Sequence, residues 1–366
     1  MVQSSHHNDK SSSFETVLVL QGGGSLGAYE CGVYKTLDKH EIKFDVVAGT
    51  SIGGINAAII AGSKSDEPAK ALEEFWLNLA EKITPSFLSE NARAIVSSTY
   101  AAMWGNPKAF LPIWFVQNPF YFFNMGPYLY DVAPLKKTLE EFVDFKNLKN
   151  SSRPRLIVSS TDVQNGKPSI FDSKYDDINA DHVIASTGYP FYGISWTQLN
   201  GKYLWDGTLL SNTPLSEVIH ASPTHSKKVY VVDLFPHIQE ELPKNMIETW
   251  HRARDIMFID KTDQAVRVSK NITQYLELLK QMHGILMELF DSGKLDEITK
   301  EKIKKVEPAY HKLAVERGAL IKEVIRIERH ERIHFLFEDA DFSLATIKQL
   351  INDGEKDAER VLSTKQ

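Results

Sequence analysis

With 366 residues, of which 42% are hydrophobic and 25% charged, the chain has the composition of a globular protein that can bury one large core and carry an appendage. The formal net charge of −6 gives no support to a nucleic-acid partner, and we expect none. Cys31 is the only cysteine, which excludes an internal disulfide and suits a cytoplasmic location. No run of residues has metal-ligand spacing, so we expect neither a metal nor another cofactor.

The beginning of the chain differs in composition from the rest. Residues 1–13 are rich in Ser, His and Asn and contain no apolar run, which predicts a disordered tail and no secretory signal. Alternating strand-like and helix-like segments begin after this tail. We expect residues 14–255 to form an α/β core.

The first predicted strand, Val17 to Leu20, leads into a glycine-rich turn. The turn is Gly22-Gly23-Gly24-Ser25-Leu26-Gly27, and a helix-like stretch follows it. Backbone N–H groups at the N-terminus of a helix suit an anion or the oxyanion of an acyl-transfer reaction. The pattern therefore predicts an oxyanion hole, with candidate residues at Gly22, Gly23, Gly24, Ser25 and Gly27.

The second predicted strand, Val46 to Ala48, leads into Gly49-Thr50-Ser51-Ile52-Gly53. This pattern is typical of a nucleophile elbow. Gly49 and Gly53 have no Cβ, so the chain can turn sharply and hold the Ser51 hydroxyl at a helix N-terminus. A serine nucleophile beside an oxyanion hole implies acyl transfer.

Two other interpretations fit part of this pattern. Gly22-x-Gly24-x-x-Gly27 also matches a dinucleotide-binding turn, which requires an acidic residue at the end of the second strand. Asp45 is at about the right distance but precedes that strand. An ordinary α/β-hydrolase would need a histidine after its acidic residue. The chain has 12 histidines, and His220 and His225 follow the acidic candidate described next.

Further along the chain, Trp205-Asp206-Gly207-Thr208 completes a third motif. In this order, the three motifs resemble those of the patatin-like phospholipase family. The segment from Leu156 to Asp162 resembles the family's central strand, and Ala185 to Phe191 resembles its proline-containing segment. The resemblance covers roughly residues 15–235 and implies a three-layer α/β fold with a central, mostly parallel sheet.

The resemblance also implies a mechanism. Ser51 would be the nucleophile, Asp206 alone its base, and the N–H groups of Gly23, Gly24 and Ser25 the oxyanion donors. The implied substrate is a fatty-acyl ester, either a phospholipid or a lysophospholipid. A soluble carboxylesterase or thioesterase, and a non-catalytic binding protein on the same fold, remain as alternatives.

The sequence departs from the family pattern at two positions. Leu26 stands where many members carry Arg or Lys, and Thr208 stands where many carry a second glycine. The first change removes a positive charge near the oxyanion hole, and the second can alter the path of the loop after Asp206. Neither change removes a reacting group.

An insertion at about residues 64–130 interrupts the core. Its first part, Ala69 to Leu79, has helical spacing, and Phe110 to Tyr130 is dense in aromatic residues. The prolines within the aromatic segment argue against a membrane-spanning helix. The segment is either a fixed aromatic cap or a lid that opens at a lipid surface, with peripheral membrane contact.

The last third is helical in composition. We expect residues 256–332 to form a helical extension, a hairpin whose second helix runs from Glu297 to Glu328. An apolar stripe on its first helix could pack on the core, seal a homo-oligomer or lie on a membrane; it comprises Ile272, Tyr275, Leu276, Leu279, Met282 and Leu286. Residues 333–366 are expected to return to the core as a strand over Ile333–Phe337 and a helix over Phe342–Val361.

Overall fold

The computed structural model describes residues 14–116, 127–235, 238–239, 241–316, 319–330 and 338–364. The predicted disordered tail at residues 1–13 and the predicted strand at 333–337 lie outside this part of the chain. Among the described residues, no helix is both long and apolar enough to cross a lipid bilayer.

The described strands form one large sheet and one small one. In chain order they are β1 (Glu15–Leu20), β2 (Val46–Thr50), β3 (Leu111–Pro112), β4 (Tyr130–Asp131), β5 (Arg155–Asp162), β6 (Pro168–Asp172), β7 (Thr197–Leu199), β8 (Lys202–Asp206), β9 (Lys227–Asp233) and β10 (Ile321–Glu328). The large sheet has the order β10-β9-β1-β2-β5-β8-β7, with β6 also paired to β5, and β3 pairs with β4 separately.

The helices cover both faces of the large sheet. They are α1 (Gly27–Lys39), α2 (Ile52–Gly62), α3 (Pro68–Leu79), α4 (Glu90–Trp104), α5 (Ile113–Val116), α6 (Ala133–Phe142), α7 (Ala180–Ile184), α8 (Leu215–Ala221), α9 (Met246–Asp291), α10 (Glu297–Tyr310) and α11 (Leu344–Ser363). The predicted three-layer α/β fold is confirmed.

The parallel centre of the sheet explains the apolar runs in the sequence. Strands β10, β9, β1, β2 and β5 run parallel, and β1 and β2 are buried on both faces. Leu18 and Leu20 belong to the larger core under α1, α2 and α11, while Val17 and Val19 belong to a smaller core on the other face. Burial on both faces requires runs of aliphatic residues rather than alternation with polar ones.

Two strands meet end to end at the edge where the motifs lie. Strand β2 pairs with residues 155–159 of β5, and β8 pairs with residues 160–162. Because β6 occupies the other side of β5 over the same residues, β2 and β8 must lie on one side. They run in opposite directions, so Thr50 at the end of β2 faces Asp206 at the end of β8. This arrangement places the second and third motifs side by side.

The insertion at 64–130 is built mainly from helices. The predicted helix at Ala69–Leu79 is confirmed as α3, and α4 was not predicted. The aromatic segment is represented by β3, α5 and β4, since residues 117–126 lie outside the described part of the chain. Phe110 packs edge-on against Tyr130, which joins the two ends of the segment.

The C-terminal third differs from the prediction in two ways. The first helix begins at Met246, earlier than expected, and the second ends at Tyr310, where a π-helical turn follows over His311–Val315. The prediction of a helix up to Glu328 is wrong, because Ile321–Glu328 is strand β10. Ile321, Ile325 and Ile327 are buried against the sheet, and this burial outweighs the helical composition of the segment.

The hairpin reaches away from the core. Gly293, with φ +69°, ends α9, as expected for a glycine in the left-handed region. Leu276 is buried, but most of the predicted apolar stripe is exposed, including Ile272, Tyr275 and Met282. The described part of the chain therefore leaves this face largely uncovered.

Candidate active site

Ser51 stands at the turn between β2 and α2. Its backbone has φ 56° and ψ −128°, which is strained for a residue with a side chain. The Ser51 N–H donates to Ser186 Oγ at 2.8 Å, and the Ser51 carbonyl accepts from the N–H of Gly54 at 2.9 Å. A Cβ at Gly49 would lie 2.1 Å from the Gly53 carbonyl oxygen, and a Cβ at Gly53 would lie 2.5 Å from the Gln21 carbonyl oxygen, so the elbow needs both glycines.

Asp206 lies beside Ser51 at the end of β8. Its carboxylate is buried and accepts a hydrogen bond from the Thr208 N–H at 2.8 Å, and the nearby Ser51 side chain favours its ionised form. A Cβ at Gly207 would lie 2.3 Å from the Ser159 carbonyl oxygen, so glycine lets the chain turn against β5 directly after Asp206. The meeting of β2 and β8 thus becomes a contact between two side chains.

Burial changes the acidity of this carboxyl group. It raises the pKa of Asp206 from 3.8 to about 6, and the hydrogen bonds from Ser51 and Thr208 limit the rise. A carboxylate with a higher pKa accepts a proton more readily. Asp206 is therefore a stronger base here than an aspartate in water would be.

The glycine-rich turn presents fewer free donors than the sequence predicts. The Gly22 N–H donates to Asn212 Oδ1 at 3.0 Å, and the Gly27 N–H bonds back to the carbonyls of Gly24 and Ser25. The N–H groups of Gly22 and Gly27 are therefore already engaged within the protein, which makes them weaker donor candidates than the sequence predicts. A Cβ at Gly22 would lie 2.8 Å from Ser51 Cβ, so its absence lets the two motifs touch.

Gly23, Gly24 and Ser25 remain as donor candidates. Within the described part of the chain, no hydrogen bond from the N–H of Gly23 or Gly24 is found. Gly24 has φ +56°, a left-handed conformation that glycine adopts without strain. Ser25 is buried, and its hydroxyl donates to the Glu338 carbonyl at 2.9 Å.

A buried polar network holds this turn in place, and sequence analysis missed it. Glu30 Oε1 accepts from the Gln21 N–H at 2.7 Å, and Glu30 Oε2 accepts from Asn56 Nδ2 at 2.8 Å. Asn56 also donates to the Gly27 carbonyl and accepts from Trp76 Nε1 at 3.1 Å. Burial raises the pKa of Glu30 well above its ordinary value. The network ties α1, α2 and α3 to the turn.

A cavity of about 410 Å³ opens beside Ser51. Its polar end contains Ser51, Asp206 and Gly22 to Gly24. Its remaining wall is mostly apolar and includes Leu79, Ala101, Met103, Ala109, Phe110, Val132, Leu135, Ile194, Phe235, Phe258 and Phe342. Such a cavity suits a long apolar group attached to a reacting ester.

The insertion at 64–130 contributes much of the apolar wall. Phe110 and Tyr130 line the cavity, which agrees with the expectation that the aromatic segment places apolar surface near Ser51. Helix α4 adds Ser98, Ala101 and Met103. No sequence motif marks α4 as part of a site.

The last third of the chain also reaches the cavity. Arg254 and Phe258 of α9 line it, together with Asp339 and Phe342 near the C-terminus. A Cβ at Gly24 would lie 2.2 Å from the Asp339 carbonyl oxygen, so the short helical turn at Glu338–Ala340, the C-terminal turn, packs directly on the glycine-rich turn. The helical extension is therefore not a separate appendage where it passes the site.

The alternative interpretations find little support in the geometry. Asp45 Oδ2 accepts from the Thr16 N–H at 2.7 Å at the start of β2, at the end opposite Ser51. His220 and His225 are exposed, and no histidine is found among the described residues that line the cavity. His182 instead caps the N-terminus of α7 through Asn179.

Comparison with known proteins agrees with the motifs. Residues 18–219 match the model of the patatin-like phospholipase family. Patatin-like protein 4 of Arabidopsis thaliana is 28% identical over 197 residues, covering 48% of this chain and 43% of that protein. A cGAMP-activated phospholipase of Vibrio cholerae is 26% identical over 243 residues, covering 60% of this chain and 61% of its own length.

The matches therefore span less than two thirds of each of these relatives. Among solved structures, VipD from Legionella pneumophila aligns with 96% of this chain and 67% of its own, with a TM-score of 0.41 and 12% identity. The family model covers more than half of the 366 residues, including Ser51 and Asp206. The chain belongs to the patatin-like phospholipase family.

Proposed function

We propose that this protein is a lipid acyl hydrolase that cleaves fatty-acyl esters of phospholipids or lysophospholipids through an acyl-enzyme on Ser51. The main support for this proposal is that Ser51 lies beside the buried Asp206 carboxylate at the polar end of an apolar cavity. Family membership supports the same reaction class.

In the proposed first step, Ser51 Oγ attacks the ester carbonyl while Asp206 accepts its proton. The N–H groups of Gly23 and Gly24, with that of Ser25, stabilise the negative charge on the tetrahedral intermediate. Loss of one such donor typically raises the barrier by about 3 kcal/mol. The intermediate collapses when the alcohol leaves with the proton from Asp206, and the acyl group stays on Ser51.

In the second step, water releases the fatty acid. Asp206 takes a proton from the attacking water, and the same N–H groups stabilise the second intermediate. Ser51 leaves with the proton, which restores the starting state. No histidine is required, because the raised pKa of Asp206 lets it both accept and return the proton.

The apolar wall provides the acyl-binding surface in this proposal. Burial of each acyl methylene stabilises the complex by about 0.8 kcal/mol, so long chains gain most from the cavity. A soluble carboxylesterase or thioesterase would need no such wall, although it would share the same reacting groups.

Two exposed apolar side chains lie next in sequence to residues that line the cavity, which supports contact with a lipid surface. Phe191 is 66% exposed and lies between Tyr189 and Tyr192, which line the cavity. Trp104 is 52% exposed and adjoins Met103. Clustered exposed apolar residues are typical of interaction surfaces, and we propose that this rim rests on the bilayer during turnover.

A substrate panel tests the proposed function. The purified protein is incubated with phospholipid vesicles, lysophospholipid micelles and p-nitrophenyl esters, and the released fatty acid is measured by mass spectrometry. We expect lipid hydrolysis that exceeds hydrolysis of p-nitrophenyl acetate in kcat/KM. Hydrolysis of the soluble esters alone would favour the carboxylesterase alternative, and no hydrolysis of any ester would favour a binding protein.

A further inference from the structure

Arg254 is the one cation among the described residues that line the catalytic cavity. It lies on α9, outside the part of the chain that matches the family model. Its side chain is only 3% exposed. A buried guanidinium that faces a substrate cavity has chemistry that apolar acyl recognition does not use.

Two carboxylates hold this guanidinium, and they differ in origin. Asp255 is the next residue of the same helix, and its Oδ1 lies 2.9 Å from Arg254 Nη2. Asp339 belongs to the C-terminal turn, and its Oδ2 lies 2.5 Å from Arg254 Nη1. Asp255 therefore remains beside Arg254 whenever α9 is folded, whereas movement of the turn can separate Asp339 from it.

Asp339 is also incompletely satisfied. Its Oδ2 accepts from Arg254 and from the Tyr192 hydroxyl, the latter at 2.5 Å. Its Oδ1 is buried and has no hydrogen-bond partner among the described residues. A buried carboxylate oxygen without a partner carries a desolvation cost, so this ion pair is less stable than a fully bonded one.

The pair lies beside the proposed oxyanion hole, at the same cavity as Ser51. The Asp339 carbonyl touches Gly24 of the proposed oxyanion hole. In a glycerophospholipid, only the glycerol carbons and their oxygens separate the reacting ester from the phosphate. A phosphate beside Arg254 is therefore compatible with an ester carbonyl beside Ser51.

We propose that Arg254 and Tyr192 bind the phosphate of the substrate, which takes the place of the Asp339 carboxylate. This inference rests on the proposed function and names its substrate class as phosphodiester-containing lipids. One singly charged anion replaces another, so the net charge around Arg254 is unchanged. Arg–phosphate contacts are often bidentate, which a single carboxylate oxygen on Nη1 does not provide here.

Two variants test this assignment. Asp339→Asn keeps the cation and removes the competing anion, and the double variant Arg254→Gln/Asp339→Asn removes both charges together. Each is assayed on a lysophosphatidylcholine and on the monoacylglycerol with the same acyl chain, in identical detergent micelles. The readout is the ratio of kcat/KM for the lysophospholipid to that for the monoacylglycerol.

We expect the ratio to rise about threefold or more in Asp339→Asn, mainly through a lower KM for the lysophospholipid. In the double variant we expect it to fall at least tenfold, because a charged hydrogen bond to the phosphate is lost. Inhibition by glycerophosphocholine, which keeps the phosphodiester but has no fatty-acyl ester, should weaken in parallel. An unchanged ratio in the double variant, or a fall in Asp339→Asn, would overturn the assignment.

A matched control separates this effect from lost stability. Arg155 and Asp172 form another, largely buried ion pair, outside the residues that line the cavity. Arg155→Gln/Asp172→Asn should lower the melting temperature without changing the substrate ratio. If the double variant at Arg254 does not fold, Asp339→Asn alone decides. If the wild type hydrolyses neither lipid, the proposed function fails first, which is a distinct result.

Discussion

Ser51 and Asp206 differ in what keeps them in place. Ser51 has a strained backbone conformation, with φ 56°, and the neighbouring glycines allow the chain to adopt it. Asp206 is held by burial and by the end-to-end meeting of β2 and β8. Because neither side chain depends on a histidine for its position, the dyad should tolerate changes at the exposed histidines.

Replacement of Asp206, the proposed base, tests whether Ser51 and Asp206 act together without a histidine. Asp206→Asn should reduce kcat/KM by at least a thousandfold, nearly as much as loss of the nucleophile, because the two residues act as a unit. The variant should fold at least as well as the wild type at neutral pH, since an ionised carboxylate with a raised pKa opposes folding. Esterase assays and thermal unfolding measure both effects.

His220→Ala and His225→Ala are the controls for that experiment. Both side chains are exposed, and we expect their variants to keep activity within about twofold of the wild type. Loss of activity in either variant with a normal melting temperature would instead place the protein in the triad class.

The pH dependence follows from the same carboxyl group. Asp206 must be ionised to accept a proton, and its pKa is raised to about 6. We expect kcat/KM to fall below a midpoint near pH 6 and to stay level above it, measured on an uncharged p-nitrophenyl ester. A midpoint near pH 4 would show that Asp206 titrates like an exposed carboxylate, which contradicts its burial.

At the scale of elements, we propose that the insertion at 64–130 determines which substrates fit. Ala101 of α4 is buried and lines the cavity. Ala101→Leu should extend into the acyl-binding surface and lower kcat/KM on a long-chain ester about tenfold, with little change on p-nitrophenyl acetate. Val96→Leu on the exposed face of the same helix is the control. Equal loss on both substrates would mean that α4 has only a structural role.

The sequence predicts some elements well because their signals are local. Val17 to Leu20 and Val46 to Ala48 are short apolar runs before glycine-rich turns, and this pattern identifies buried parallel strands. Strand β10 has no such signal, because Lys322, Glu323 and Arg326 interrupt its isoleucines. It is a strand because β9, about ninety residues earlier, offers it an edge.

The residues of the candidate site also divide into those that local motifs predict and those that only the structure identifies. Ser51 and Asp206 are predictable from motifs, whereas Arg254 and Asp339 are not, because their contact joins residues 85 positions apart. The roles of Gly22 and Gly27 also required the structure, since only the partners of their N–H groups show that they are not free donors. Glycine spacing identifies the turn but not which of its donors face the cavity.

At the scale of the whole molecule, the chain leaves the core and returns to it through α11. This helix crosses α1 so closely that a Cβ at Gly32 would lie 1.8 Å from the Ile351 carbonyl oxygen. Gly354 makes the reciprocal approach, with a Cβ position 2.1 Å from the Tyr29 carbonyl oxygen. The C-terminus is thereby part of the same core that supports the glycine-rich turn.

Gly32→Ala should therefore destabilise the protein by about 3 kcal/mol or more, because backbone at this crossing cannot move aside easily. Gly284→Ala is the matched control, since Gly284 lies in α9 with nothing within 4 Å of its Cβ position. It should stabilise by up to about 1 kcal/mol through helix propensity. Urea denaturation measures the free energy of unfolding of both variants. Equal free energies would contradict the close crossing of α1 and α11.

The hairpin formed by α9 and α10 is the predicted site of homo-oligomer formation. Its exposed apolar residues include Leu278, Ile285 and Leu289, which nothing in the described chain covers. Association through this face into a homo-oligomer stays a prediction, and sedimentation of the full chain at several concentrations would measure it. The rim around the cavity is a different surface, formed by residues such as Phe191.

The most direct test of the whole account is covalent trapping of the nucleophile. The wild type is treated with a fluorophosphonate, and the modified residue is located by mass spectrometry of its peptides, while Ser51→Ala is assayed on a lysophospholipid. We expect one adduct, on Ser51, and less than a few per cent of wild-type hydrolysis in a variant that unfolds at the normal temperature. An adduct on another residue, or an active Ser51→Ala variant, would contradict the account.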